Sequence, residues 1–380
     1  MFPRPRALSL IALLALTGCD DETPRVKPKD HAEGLYVKGT AEYLQGQFES
    51  ALASFDAMKQ ITPDDPRLPA ARGEVYLSMG RLTDAAAEFE AALKLEPKRS
   101  TNWSRLGFIQ TQLGQVTEAQ SSLRKALALF PQDFNALESL GDLDLKKGDH
   151  DSAVRHFTLA STAAPSPEQK SALVMRALEV LSSKERYPEL LAAAQKAVDD
   201  GIHTAEVLAT LGDALVRAGN LTEAANAYRD AASRSPRDPT LWELVGEIQT
   251  KLDKPGDAIS AYKESLRVKD RAIVHVALAR IYLGMKDTSA AKEELAAALE
   301  SVSGEDIREM RELASLLATM DRKPDALRIL STLSSEQDHA KDAELHVATA
   351  QLARELKETA ILQAACARAT AADARIKKCP

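Results

Sequence analysis

Cysteine is scarce in this chain: Cys19, Cys366 and Cys379 are the only three, too few for the disulfide framework that staples small secreted domains. None of the seven histidines stands in an H-E-x-x-H or Cys/His spacing, so neither a metal nor another cofactor is expected. The phosphate-cradling G-x-x-x-x-G-K-[ST] loop and the G-x-S-x-G nucleophile elbow are missing as well, and the chain is not expected to be an enzyme. Aromatic residues make up 4% of the sequence, and only one strongly apolar run occurs. Charge of one sign is never concentrated: 49 Lys and Arg face 56 Asp and Glu without a long basic block, which argues against nucleic acid as a partner.

What is there begins with that apolar run. Arg4 and Arg6 precede residues 7–16, a stretch too short to span a bilayer as a helix but of the right length for a signal-peptide core. Leu16-Thr17-Gly18-Cys19 then resembles the bacterial lipobox, in which the cysteine thiol is acylated and becomes the mature N-terminus. The resemblance implies a signal peptide over 1–18 and a Cys19 whose acyl chains attach the protein to a membrane. The alternative is an ordinary cleaved signal with a chance cysteine nearby. The implied compartment is the periplasm. Asp20 and Asp21 resemble the signal that keeps enterobacterial lipoproteins in the inner membrane, with the outer membrane as the other destination. Residues 19–30 read as the lipidated cysteine and a tether, charged, interrupted by Pro24 and Pro28, and lacking apolar periodicity. At about 3.3 Å per residue the tether reaches at most roughly 36 Å.

With Cys19 lipidated, Cys366 and Cys379 remain as a possible disulfide in an oxidising compartment. Were the intervening residues all helical, the two would lie about 20 Å apart, beyond bridging distance. A bond therefore requires the last helix to end before about Arg375 and the tail to fold back; two free thiols are the alternative.

The rest of the sequence is alanine- and leucine-rich, with a 34-residue period. Gly73, Gly107 and Gly141 keep that step, as do Gly46, Gly80, Gly114 and Gly148, and Pro63, Pro97, Pro131 and Pro165. Ala51, Ala85, Ala119 and Ala153 repeat between them, followed by Phe55, Phe89, Leu123 and Phe157. Each feature has a physical use. Gly107 lets one helix approach its partner closely, Gly114 breaks the first helix, Ala119 is small at the crossing, and Pro131 stops the second helix. Each pair leaves an apolar face that only a neighbouring pair can cover.

The segment "WSRLGFIQTQLGQVTEAQSSLRKALALFP" (103–131) carries W-x2-L-G, A-x3-L and a terminal Pro, and resembles the tetratricopeptide repeat. The resemblance implies an all-α solenoid, a right-handed superhelix of about ten antiparallel helix pairs. Four regular repeats are expected over 31–165. Gly141 to Gly212 spans 71 residues, which implies a degenerate repeat with about three extra residues over 166–204. Four further repeats are expected over 205–340 and a C-terminal repeat or cap over 341–380, with Ala279, Ala314 and Ala348 taking the glycine position.

The resemblance also implies a concave groove, lined by the first helix of each pair, that receives an extended peptide or a partner helix. Carried over by register, its lining includes Tyr36, Tyr43, Leu77 and Phe108 in the early repeats, then Glu138, Asp142, Asp213, Glu243 and Glu247. The Lys and Asn needed for the carboxylate clamp of chaperone-binding family members are absent; Glu74, Asp142, Asp213 and Glu247 stand instead. A ligand with basic and aromatic residues is one reading of this acidic lining. The other is structural, because Asp142–Lys146, Asp213–Arg217 and Glu247–Lys251 are i,i+4 pairs that stabilise a helix by about 0.2–0.5 kcal/mol each. Tyr36 and Tyr43 either pack beneath the first repeat or meet a ligand. Trp103 and Trp242 share one inward register, which favours core packing over sugar stacking. The expected function is a membrane-anchored periplasmic scaffold for protein partners of an envelope assembly or export machine, for a pilus or an exopolysaccharide. The alternatives are a direct polysaccharide carrier, an activator of a cell-wall enzyme, or a scaffold of outer-membrane assembly.

Overall fold

A computed structural model describes residues 28–301, 307–373 and 376. Among the described residues it contains twenty α-helices, one short 3-10 helix and no strand, an all-α solenoid of tandem helix pairs. The chain divides into two compact units, one ending at Lys147 and one starting at Gly148.

The first unit comprises α1 (Pro28–Leu44), α2 (Phe48–Ile61), α3 (Arg67–Ser78), α4 (Leu82–Leu95), α5 (Ser100–Gln112), α6 (Val116–Leu129) and α7 (Phe134–Lys147). Helix α1 starts at Pro28, so the last three residues expected in the tether, Pro28 to Asp30, are helical. Proline fits there because a first-turn amide has no intrahelical acceptor. Helices α1 and α2, α3 and α4, and α5 and α6 pack as pairs, and first helices also meet across pairs, α1 on α3 and α5 on α7.

The α5–α6 pair shows how sequence makes the unit. In α6 the buried Ala119, Ser122, Leu123 and Ala126 fall at i, i+3, i+4 and i+7, one helical stripe. Gly114 turns the chain with φ +75°, a conformation that costs a residue with a Cβ about 1–2 kcal/mol. The turn is closed by hydrogen bonds from the Gly114 amide to the Thr111 carbonyl (3.2 Å) and from the Gln115 amide to the Gln110 carbonyl (2.9 Å), which satisfy carbonyls orphaned at the helix end. A Cβ on Gly107 would stand 2.5 Å from Cγ of Leu123. The same sixteen-residue relation joins Gly39 to Phe55 and Gly73 to Phe89.

The second unit comprises α8 (His150–Ala163), α9 (Pro167–Ser183), α10 (Tyr187–Asp199), α11 (Ala205–Arg217), α12 (Leu221–Arg234), α13 (Pro239–Lys251), α14 (Pro255–Val268), α15 (Ala272–Gly284), α16 (Thr288–Ser301), α17 (Ile307–Thr319), α18 (Lys323–Ser335), α19 (Ala343–Glu355) and α20 (Thr359–Ala372). First helices again meet across pairs, α9 on α11 and α15 on α17. Gly212 and Gly246 each face a tyrosine sixteen residues on, Tyr228 and Tyr262.

The repeat fades in this unit's sequence while its geometry persists. Gly219 keeps the left-handed turn between α11 and α12, but elsewhere the turn residue is Glu185, Asp253, Lys286, Asp321 or Lys357. At the degenerate repeat the large and small residues change sides. Leu178, buried on α9, takes the glycine register, and buried Ala194 on α10 stands where other repeats place an aromatic ring. In the last pair the glycine register belongs to Ala350, fully buried seven residues before the Lys357 turn. The expectation for Ala348 is thus corrected, since Ala348 is exposed. The shift arises where the 3-10 helix Gln337–His339 lengthens the connection between α18 and α19. Cys366 on α20 is disulfide-bonded. Cys379 and the lipobox cysteine Cys19 both lie outside the described residues.

Candidate partner-binding surface

The first helices carry the expected groove residues, and each unit has its own set. In the first unit Tyr36 and Tyr43 lie on α1, Glu74 and Leu77 on α3, Phe108 on α5, and Glu138 and Asp142 on α7. Tyr36 is half-buried: its ring centroid is 5.9 Å from that of Phe55, and the Arg67 guanidinium lies 4.4 Å from its ring centroid. Tyr43 packs on Phe48 at 6.2 Å, and its hydroxyl lies 3.2 Å from that of Ser78, linking α1 to α3. Both tyrosines therefore pack within the first repeats and still present an edge to solvent. Phe108 is half-buried against the cluster of Phe89 and Ile109. Glu138 and Asp142 are half-buried and already engaged within the protein.

Arginines answer the carboxylates across repeats. Arg67 donates to both oxygens of Glu33, at 3.2 and 2.8 Å, and to both of Asp65. Its hydrogen bonds hold the Glu33 and Asp65 carboxyls below the usual carboxylate range. Arg105 on α5 pairs with Glu74 on α3 at 2.7 Å. The acidic register is thus partly neutralised by the next helix, an arrangement that acid–arginine separations of 31 to 34 residues in the sequence would have signalled.

In the second unit Asp213 lies on α11, and Glu243 and Glu247 on α13. Asp213 accepts a 2.6 Å hydrogen bond from the Tyr228 hydroxyl, while Arg217 stands over the Tyr187 ring at 5.0 Å from its centroid. The i,i+4 expectation for Asp213 and Arg217 is corrected, because each has a better-placed aromatic partner. Burial, with Asp213 and then Glu247 adding to it, pushes the Tyr228 phenol up. Glu243 receives Arg271 through both oxygens at 2.8 Å and the Ser265 hydroxyl at 3.1 Å. Glu247 makes the expected pair with Lys251 at 2.7 Å and is exposed.

Between first helices α13 and α15, over Tyr262 of α14, lies a cavity of about 290 Å³ bounded by Ala277, Ile281, Arg280 and Met285. Met285 is 52% exposed, an apolar side chain held at the rim. The Tyr262 phenol is pushed up to about 12 by burial, with Glu247 adding to it, so it stays a neutral hydroxyl donor at ordinary pH.

The tryptophans are half-buried. Trp242 packs against Leu208 and Leu241. Trp103 donates its indole N–H to the Pro97 carbonyl at 2.9 Å and carries the Lys125 ammonium 4.3 Å from its ring centroid. It also lines a cavity of about 560 Å³ between α4, α5 and α6, so its expected core role covers only part of the ring. Among the described residues no group of three His, Cys, Asp or Glu side chains could hold a metal ion, and no helix is long and apolar enough to cross a membrane.

Tetratricopeptide repeat models match residues 42–107, 109–168, 210–272 and 272–301. No curated protein matches the chain. Among solved structures, the crystal structure of MamA is 19% identical, covers 44% of this chain and 91% of its own, and has a TM-score of 0.39. That of YrrB, titled a TPR protein with an unusual peptide-binding site, is 18% identical over 48% of this chain and 92% of its own, at 0.38. A tetratricopeptide repeat protein from Parabacteroides merdae is 19% identical over 76% of this chain and 99% of its own, at 0.36.

Proposed function

The chain belongs to the tetratricopeptide repeat family, whose members generally act as protein-binding scaffolds, and on that premise we propose a scaffold anchored to an envelope membrane through Cys19. It would hold protein partners of an assembly or export machine, with pilus and exopolysaccharide systems the classes that a periplasmic anchor suits. The single observation that carries the reading is the cavity between α13 and α15, with exposed Met285 on its rim and Tyr262 at its floor. Apolar walls from Ala277 and Ile281 beside Arg280 and Asp253 suit a side chain from a bound peptide or helix. A side chain buried there at about 25 cal/mol per Å² of apolar area would contribute on the order of 1–3 kcal/mol.

Anchoring rests on the Leu16-Thr17-Gly18-Cys19 motif. Acyl chains on Cys19 would place the repeats within a tether's length of the bilayer. Asp20 and Asp21 favour the inner membrane.

The test is photo-crosslinking in intact cells from residues replacing Tyr43, Asp142 and Met285, with Lys59 of α2 as an outer-helix control. Specific protein adducts at the first-helix positions support the scaffold. Adducts at Lys59 alone would move recognition to the other face and end the groove reading. One observation bears on the carrier alternative: Trp103 provides an aromatic wall, yet Lys125 lies over its ring, so a sugar would have to displace that side chain.

A further inference from the structure

The degenerate repeat departs from its neighbours in more than register. Helix α9 runs for 17 residues, whereas α11 and α13 have 13. Its partner α10 supplies Ala193, Ala194 and Ala197, with no ring in the register that Phe157, Tyr228 and Tyr262 occupy elsewhere. Leu178 from α9 fills part of the volume. A cavity of about 350 Å³ lies among α8, α9 and α10, walled on one side by Val174, Ala177, Leu178, Ala193 and Ile202 and on the other by Ser and Thr side chains of α8. A second cavity of about 580 Å³ adjoins it across Lys170, Asp200 and Ile202, and extends past Pro165 and His203.

The rim is cationic. Lys196 reaches Asp200 at 2.8 Å. The Lys170 ammonium makes no hydrogen bond or ion pair among the described residues, although Asp200 lies near enough to sense its charge. His203 is exposed on the same rim, likewise with no partner among the described residues. One carboxylate therefore faces two ammonium groups and an imidazole, above an apolar interior.

We propose that these joined cavities are a second binding site, separate from the first-helix groove, for a segment of a partner protein that presents an apolar side chain beside a carboxylate. The apolar side chain enters between Ala177, Leu178 and Ala193, and the carboxylate pairs with Lys170. The cationic rim selects a segment that carries a carboxylate over one that carries an ammonium group. The inference is independent of the groove reading, and either can fail without the other.

The experiment is methyl NMR on the full chain with alanine methyls labelled, titrated with two blocked hexapeptides, one alternating Leu and Glu and one alternating Leu and Lys. The Leu/Glu peptide is expected to shift Ala177, Ala193 and Ala197, and the Leu/Lys peptide to leave them unmoved. Lys170→Glu should weaken the Leu/Glu peptide about fivefold, as expected for one exposed ion pair. Ala193→Leu, which projects a larger side chain into the cavity, should weaken the shifts of Ala177 and Ala197. Should that variant fail to fold, Lys170, half-buried at the rim, still decides. Equal shifts with both peptides, shifts confined to other alanines, or unchanged affinity in Lys170→Glu would overturn the proposal. So would a response to decanoate without a response to either peptide, which would identify the site as one for a fatty carboxylate.

Discussion

Gly73 and Phe89 are in direct apposition across the α3–α4 pair: a Cβ on Gly73 would stand 2.8 Å from Cε2 of the buried Phe89 ring. The ring occupies the space that a side chain at residue 73 would need. The same relation recurs in both units, so the spacing that sequence shows as a glycine and an aromatic sixteen residues apart is a steric contact in the fold.

Gly107→Ala is expected to destabilise its repeat by about 1–3 kcal/mol, because the new methyl must displace Leu123 from a close-packed site. Combining it with Leu123→Ala should cost less than the sum of the single changes, since the second opens room for the first. Urea unfolding followed by circular dichroism measures both; strict additivity would sink the steric account.

Lys286→Gly should raise stability by roughly 0.5–1 kcal/mol. Lys286 holds φ +64°, where a Cβ is strained, and glycine relieves that strain at some entropic cost. The mirror change Gly114→Ala, at φ +75°, should lower stability by a similar amount. Thermal melts of the two variants must move in opposite directions.

Stability is expected to depend on pH through His275. Its Nδ1 meets Glu294 at 2.6 Å and its Nε2 meets Asp270 at 3.0 Å, so both nitrogens donate and the imidazolium is favoured. The Glu294 hydrogen bond raises the His275 pKa above its ordinary value against the opposing effect of burial. The folded state therefore holds this proton more tightly than the unfolded chain does. The contribution is fully present below about pH 6.5 and is lost as pH rises through the raised folded value. His275→Gln should flatten that part of the stability–pH curve, and an unchanged curve would refute the assignment.

Tyr228→Phe should cost about 1–2 kcal/mol, because it removes a 2.6 Å hydrogen bond to the Asp213 carboxylate. Asp213→Asn should cost less, since an amide oxygen can still accept from the phenol. Hydrogen exchange of the α11 and α12 amides would report the loss locally, as expected where each repeat contacts only its neighbours.

The sequence by itself determined the repeat unit. Glycine, alanine and proline at a 34-residue step encode a close approach, a crossing and a stop, all local steric requirements that few other residues meet. The placement of the candidate groove residues on first helices was legible for the same reason, since residues carried at one step of a repeat fall on equivalent helices. Two matters waited for tertiary structure. One was the persistence of the turn where Glu185, Asp253 and Lys286 replace glycine: helix pairing supplies enough stabilisation to hold a non-glycine residue at positive φ, and sequence alone does not reveal that sum. The other was how the acidic residues are used. Arg105, Arg271 and Tyr228 reach their carboxylates from other repeats or helices, and the cavity among α8, α9 and α10 is assembled by side chains of three helices. Such contacts depend on side-chain volume and direction between residues far apart in sequence, which a period cannot specify.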